Sequence, residues 1–279
     1  MTTNPLEQYF RPAGLNIKLP TGGAYLPAGS FTPNEDGTVA IFPMTAADEY
    51  LLKNPDALLS GYAIQKLIES CVPAIKDSNN LSTPDLDVIL LAIRAATYGD
   101  SMDVQTRCPE CKRENDFKAD LPALLQTVKE IDPEIEVRLN DDLIVYLRPY
   151  SLKNAFQVSH LTFTETRRIQ GVEMSEDVTP ETIERERRIG YDKLAALQNQ
   201  IFADCVIRVV APGIDVSEPE HIIGFMANIS RGWVQKIENR ILEVMELGMD
   251  KTIDVKCQSP VCNHEWQTQI EFDPASFFG

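Results

Sequence analysis

At 279 residues, 43% hydrophobic and 24% charged, the chain can bury a substantial core as one large domain or two modest ones. A net charge of −16 works against DNA phosphates and anionic membrane surfaces, so neither nucleic acid nor membrane is expected as a partner. No apolar run approaches the ~20 residues that cross a bilayer, and residues 1–10 carry no basic or apolar signal region, so cytoplasmic synthesis without a signal peptide is expected.

Residues 1–43 contain Pro5, Pro12, Pro20, Pro27, Pro33 and Pro43, and read as an extended arm with turns. Short strands are predicted within it at 15–19 and 38–42. Such an arm gains order by lying on another surface, its own or a partner's. From 44 to 150 the pattern is a helical block followed by hairpins. Thr45 with Asp48 three residues on predicts a capped helix over 46–52. Leu58, Tyr62, Leu67 and Cys71 predict another over 56–71, with Cys71 as a small core residue. Thr83-Pro84 predicts a helix start, and the helix runs through Leu86, Ile89, Leu90, Ile93 and Ala96 to Gly99. Strands follow at 103–107 and 115–119, then two more within 135–148 around Asn140-Asp141-Asp142.

Residues 151–248 read as a long helical insertion. Thr179-Pro180 opens a long segment with Ile183, Ile189, Leu194, Leu197, Ile201, Cys205 and Val206. Ser217-Glu-Pro-Glu220 has the form of a capping box, followed by a stripe from Ile222 through Met226, Ile229, Trp233, Ile237 and Ile241 to Val244. Gly248 predicts the stop. The charge-dense stretch 164–188 predicts an exposed helix face or a projecting helical hairpin, with partner binding as the sharper reading.

The chemistry sits in two cysteine knuckles, Cys108-Pro-Glu-Cys111 and Cys257-Gln-Ser-Pro-Val-Cys262, each between strand-like stretches. A short Cys-x-x-Cys turn aims both sulfurs to one side, and four thiolates from two hairpins enclose one tetrahedral ion. Cys108, Cys111, Cys257 and Cys262 are therefore the candidate metal ligands, closing 112–256 as a loop and leaving no open coordination position. Zinc is the expected ion. A four-cysteine iron–sulfur cluster is the competitor, because thiolate count alone does not separate the two. The ends echo each other: Asp103-Val-Gln-Thr-Arg-Cys108 is like Asp254-Val-Lys-Cys257, and Asn115-Asp-Phe117 is like Glu265-Trp266. Acidic turns and apolar anchors follow both, at Asp120-Leu-Pro122 and at Asp273-Pro274 with Phe277-Phe278. Residues 249–279 thus form a second knuckle hairpin that packs on the first.

Enzyme signatures are missing: no phosphate loop, no nucleophile elbow, no zincin helix. His264 follows Cys262 and reads as a neighbour of the site more than a ligand; His160 and His221 read as solvated or capping residues, and Cys205 as core. No catalytic residue is assigned and the chain is not read as an enzyme. The fold class is α+β: two knuckle hairpins meeting in a zinc-ribbon-like unit, an N-terminal helical block and a long helical insertion.

Pro43-Met-Thr-Ala-Ala-Asp-Glu49 and Leu58-Leu-Ser-Gly61 resemble the opening of baseplate hub proteins from T4-like contractile-tailed bacteriophages. Leu91-Ala-Ile-Arg94, Tyr98-Gly-Asp100, Cys108-Pro-Glu-Cys111 and Asp120-Leu121 resemble the next block of that family, in the same order, with an echo over 222–278. Lys112 departs from the glycine usual after a ribbon knuckle, and 151–215 carries no matching signature. The resemblance implies a virion protein of the tail baseplate, synthesised in the host cytoplasm. Its surfaces would bind hub, spike and wedge proteins in a symmetric hetero-oligomeric ring, with the arm and the 151–215 helices as contacts. Other classes remain: a zinc-ribbon adaptor, a soluble assembly chaperone, or an iron–sulfur protein on the same four cysteines.

Overall fold

Residues 88–93 are at most 1% exposed, and the first part of the chain is arranged to cover them. The computed structural model describes residues 6, 10–175, 179–270, 277 and 278, and shows a mixed α/β protein of helices and small antiparallel sheets. β1 (Leu15–Lys18) pairs antiparallel with β2 (Thr38–Ile41), burying Ile17, Val39 and Ile41. From Arg11 onward the proline-rich segment lies on its own chain. Arg11 donates to the Ser70 carbonyl at 2.6 Å, and the Thr32 amide donates to the Ala74 carbonyl at 2.9 Å. The Thr21 amide donates to the buried Asp85 carboxylate at 2.8 Å. The start of the arm and the Asp273-Pro274 turn lie outside the described residues.

Thr45 and Asp48 form a reciprocal capping box that opens α1 (Ala46–Leu52). The single helix predicted over 56–71 is two, α2 (Pro55–Leu59) and α3 (Tyr62–Cys71). Gly61 between them has a left-handed φ of 76°, which ends the first helix, and a side chain there would strike the Phe156 ring. α4 (Thr83–Tyr98) is capped one residue earlier than predicted, by Ser82, whose hydroxyl accepts from the Asp85 amide at 3.3 Å. Over 88–93 this helix is apolar on all sides, as a fully buried stretch must be. Phe277 and Phe278, from the far end of the chain, join its core. The Arg94 guanidinium stands 5.2 Å from the Phe277 ring centre and 5.5 Å from that of Tyr98, so the one charge in the run holds the aromatic anchor.

β3 (Ser101–Arg107) and β4 (Glu114–Asp120) pair across the first knuckle, and Asp120 caps α5 (Leu121–Gln126). A second core follows. β5 (Ile135–Arg138) and β6 (Ile144–Leu147) turn at Asn140, whose side chain accepts from the Asp142 and Leu143 amides at 2.9 and 2.8 Å. α6 (Leu152–Glu173) and α7 (Pro180–Asp204) come next, the latter capped by Thr179 as predicted. Region 151–248 is not helical throughout. β7 (Val206–Ala211) and β8 (Ile214–Val216) interrupt it, and β7 pairs with β6 to complete a sheet of order β5-β6-β7-β8. The cause is local: a run rich in Val and Ile favours strand, and Pro212-Gly213, with Gly213 at φ 75°, supplies the turn.

α8 (Pro219–Asn228) is preceded by Glu218, which makes no side-chain cap bond, so the box predicted at Ser217 does not form. The stripe from Ile222 to Val244 breaks at the extended Ile229, and Ser230 caps a separate α9 (Arg231–Met245). Ile222, Ile237, Ile241 and Val244 pack on Ile135, Val145, Leu147 and Val209 of the sheet. Each such side chain contributes about 1.5–3 kcal/mol on full burial. Outgoing and returning chain meet at a neck, where the Lys129 amide donates to the Gly248 carbonyl at 2.7 Å. β9 (Thr252–Lys256) and β10 (Glu265–Gln269) then return to the first core. No helix among the described residues is long and apolar enough to cross a membrane.

Candidate metal centre

Strand alternation turns one face of each knuckle hairpin toward the other. Thr106, Asn115 and Phe117 point inward from β3 and β4, as do Val255, Trp266 and Thr268 from β9 and β10. Phe117 and Trp266 meet edge to face with ring centres 5.9 Å apart. The Thr106 and Thr268 hydroxyls lie 3.5 Å apart. Met102, Ala119 and Ile270 root this two-hairpin layer in the first core, and the knuckles lie beyond it.

The repeat seen in sequence is also a repeat of backbone geometry. The Cys108 amide donates to the Arg113 carbonyl at 2.9 Å, and the Cys257 amide donates to the His264 carbonyl at 2.8 Å. In each knuckle the residue after the second cysteine is left-handed, Lys112 at φ 61° and Asn263 at φ 50°. That is where a glycine is usual, and Lys112 occupies it with its ammonium 2.7 Å from the Pro109 carbonyl.

These turns bring the four predicted ligands together. The sulfurs of Cys108, Cys111, Cys257 and Cys262 all lie within 4.8 Å of one another. Cys108 and Cys262 are 3.8 Å apart, Cys111 and Cys257 3.6 Å, and all four are free thiols. A set gathered this closely could hold a metal ion. His264 is not among the four; its ring stacks on Trp266 at 6.0 Å between centres. A residue that the sequence reading passed over bridges the knuckles. Asn115, 1% exposed, accepts from the Gln258 amide at 2.8 Å and donates to the Arg113 carbonyl at 2.8 Å. The signal was present, since a polar amide sits at an inward position of the alternating strand 114–120.

Residues 18–279 match the family described as T4 bacteriophage base plate protein. The chain belongs to that family. No curated protein and no solved structure matches it. Membership gives this baseplate protein a structural role in the tail of the virion, in contact with other baseplate proteins. The match also takes in 151–215, which showed no signature by eye.

Electrostatics set Cys108 of the baseplate protein apart from the buried Cys71 and Cys205. Burial works upward on the Cys108 thiol, but the amides of Cys111 and Glu110 and the neighbouring thiols outweigh it and bring it to about 7. Cys262 lies at about 12: the His264 backbone acts downward, outweighed by burial and the other three thiols. Cys108 is thus held lower and Cys262 higher than an isolated thiol, as coupled thiols are. A cation would displace the remaining protons, so metal affinity rises with pH. Cys71 and Cys205 are fully buried, and burial pushes them up to about 11 and about 12, so both are core thiols. His160 and His221 are exposed.

Proposed function

We propose that this baseplate protein is a structural component of the hub, stiffened by one zinc ion held by Cys108, Cys111, Cys257 and Cys262 in a zinc-ribbon-like unit. The observation that carries the reading is the convergence of four sulfurs from opposite ends of the 112–256 segment to within 4.8 Å. A tetrahedral ion with Zn–S bonds of ~2.3 Å needs sulfurs about 3.8 Å apart, and the cross-hairpin pairs stand at 3.8 and 3.6 Å. A multi-iron cluster would spread its thiolates over separate irons around bridging sulfide, so this spacing favours a single ion. When bound, zinc supplies charge neutralisation and four bonds, with no open position for substrate. The residues themselves do the rest: they pin two hairpins and fix how the second core leaves and rejoins the first.

Partner contacts are assigned to α6 and α7. Their buried residues are few, Leu152, Asn154 and Glu165 in one and Gly190, Ile201 and Ala203 in the other. Met174 and Tyr191 are 85% and 64% exposed, an arrangement suited to hub, spike or wedge neighbours in a symmetric ring. Two measurements test the proposal. Elemental analysis with a visible spectrum should give one zinc per chain and no colour; sulfide-type absorbance would replace zinc by a cluster, and no metal would remove the site. Replacing 163–195 by a short Gly-Ser bridge should leave metal content and core stability intact and abolish baseplate assembly. Normal assembly would take the contact role from the hairpin.

A further inference from the structure

Asn115 is not one of the four ligand candidates, yet it joins the two loops that carry them. Its Oδ1 accepts from the amide of Gln258, the residue after Cys257. Its Nδ2 donates to the Arg113 carbonyl, which also accepts the Cys108 amide at 2.9 Å. The orientation of the amide follows from its partners, because an N–H on one side and a carbonyl on the other admit only one placement. The Gln258 side chain adds a third link, donating to the Asp116 carbonyl at 2.5 Å. At 1% exposure these bonds are shielded from water, and no apolar residue or carboxylate could satisfy both sides at once.

We infer that Asn115 is a positioning residue for the metal centre, holding the two knuckles in register so that the four sulfurs are gathered before the ion arrives. The inference rests on the zinc reading above. It makes the site preformed: binding adds the ion without having to bring the hairpins together, and the ordering entropy is met by protein hydrogen bonds. Outer partners of this kind set metal affinity by about 10- to 100-fold.

The test uses the full chain, stripped of metal and titrated with zinc against a chromophoric chelator, then with cobalt(II) to read site geometry from its visible bands. Asn115→Ala is compared with wild type and with Lys118→Ala, a change at an exposed position of the same strand. Asn115→Ala is expected to weaken zinc about 10- to 100-fold and to alter the cobalt bands, with far-UV dichroism unchanged; Lys118→Ala should match wild type. If Asn115→Ala fails to fold, Asn115→Ser takes its place, since its short neutral hydroxyl cannot reach both loops and brings no charge to the site. Hydrogen exchange on metal-free wild type should show the Gln258 amide protected. Wild-type affinity and spectrum in the variant that folds would overturn the positioning role, as would an unprotected Gln258 amide. Failure of wild type itself to bind either metal would instead overturn the zinc reading.

Discussion

Between the two knuckle hairpins lie Phe117, Trp266, Thr106, Thr268 and the buried Asn115, ending in four sulfurs. Between α6 and α7 the seam is built from charges. The Glu165 side chain, 5% exposed, takes Lys193 at 2.7 Å and Arg168 at 2.8 Å, and Arg168 also pairs with Glu186. Gly190 makes room for it, since a Cβ there would stand 3.3 Å from the Glu165 carboxylate. The first joint depends on shape, apolar contact and sulfur, which salt scarcely touches. The second depends on ion pairs between a buried Glu165 and the partly exposed Lys193 and Arg168, which salt and acid weaken. One region is built to hold; the other leaves large apolar side chains such as Met174 and Tyr191 exposed.

Breaking the first joint should give the largest effect. Cys257→Ser is expected to abolish stoichiometric zinc and lower the melting temperature by about 10 °C, roughly 4 kcal/mol for a chain of this size. Elemental analysis and calorimetry check it, and a variant that keeps its zinc would sink the four-sulfur assignment. Next comes the first core. Ile89→Ala, at a fully buried position, should lose about 2–5 kcal/mol in denaturant unfolding. It should leave metal affinity at the wild-type level, which separates core from joint.

The charged seam should respond to acid. Hydrogen bonds from Lys193 and then Arg168 hold the Glu165 carboxyl below its ordinary value. Its contribution is therefore complete above the unfolded carboxylate value and lost as pH falls through the lowered folded one. Exchange in 160–195 should accelerate over that acid window, and Glu165→Gln should remove the dependence; an identical pH profile in the variant would cut Glu165 out of the seam. The smallest effect belongs to Arg188→Ala. Arg188 pairs with Glu184 on one helix with both side chains exposed, so stability should move by no more than about 0.5 kcal/mol. A larger loss would mean that α7 gains more from surface pairs than the comparison allows.

Caps and periodicity near the chain's own residues were readable because their causes are local. Thr45 with Asp48, Thr179 with Pro180, and Asn140 at its turn all behave as their side-chain chemistry demands. The misses share a different cause. The break at Gly61 follows from a left-handed backbone packed on Phe156, nearly a hundred positions away. β7 and β8 carried strand signals in Val206, Ile207, Val209 and Val210, but their pairing with β6 depends on a partner beyond two long helices. Asn115 reads as an ordinary polar residue until Gln258 stands opposite it.

The sequence alone determined the four cysteines, their grouping into two like knuckles, the buried helix around residues 88–93 and the family to which they belong. Those features are set by residue type and short spacing, where geometry follows from covalent connectivity. Only the tertiary structure decided that the sulfurs converge, that the second core begins with Ile131 and closes at a neck beside Gly248, and that one buried amide joins the knuckles. Those are contacts between distant segments, and their free energy comes from burial and pairing that no local pattern encodes.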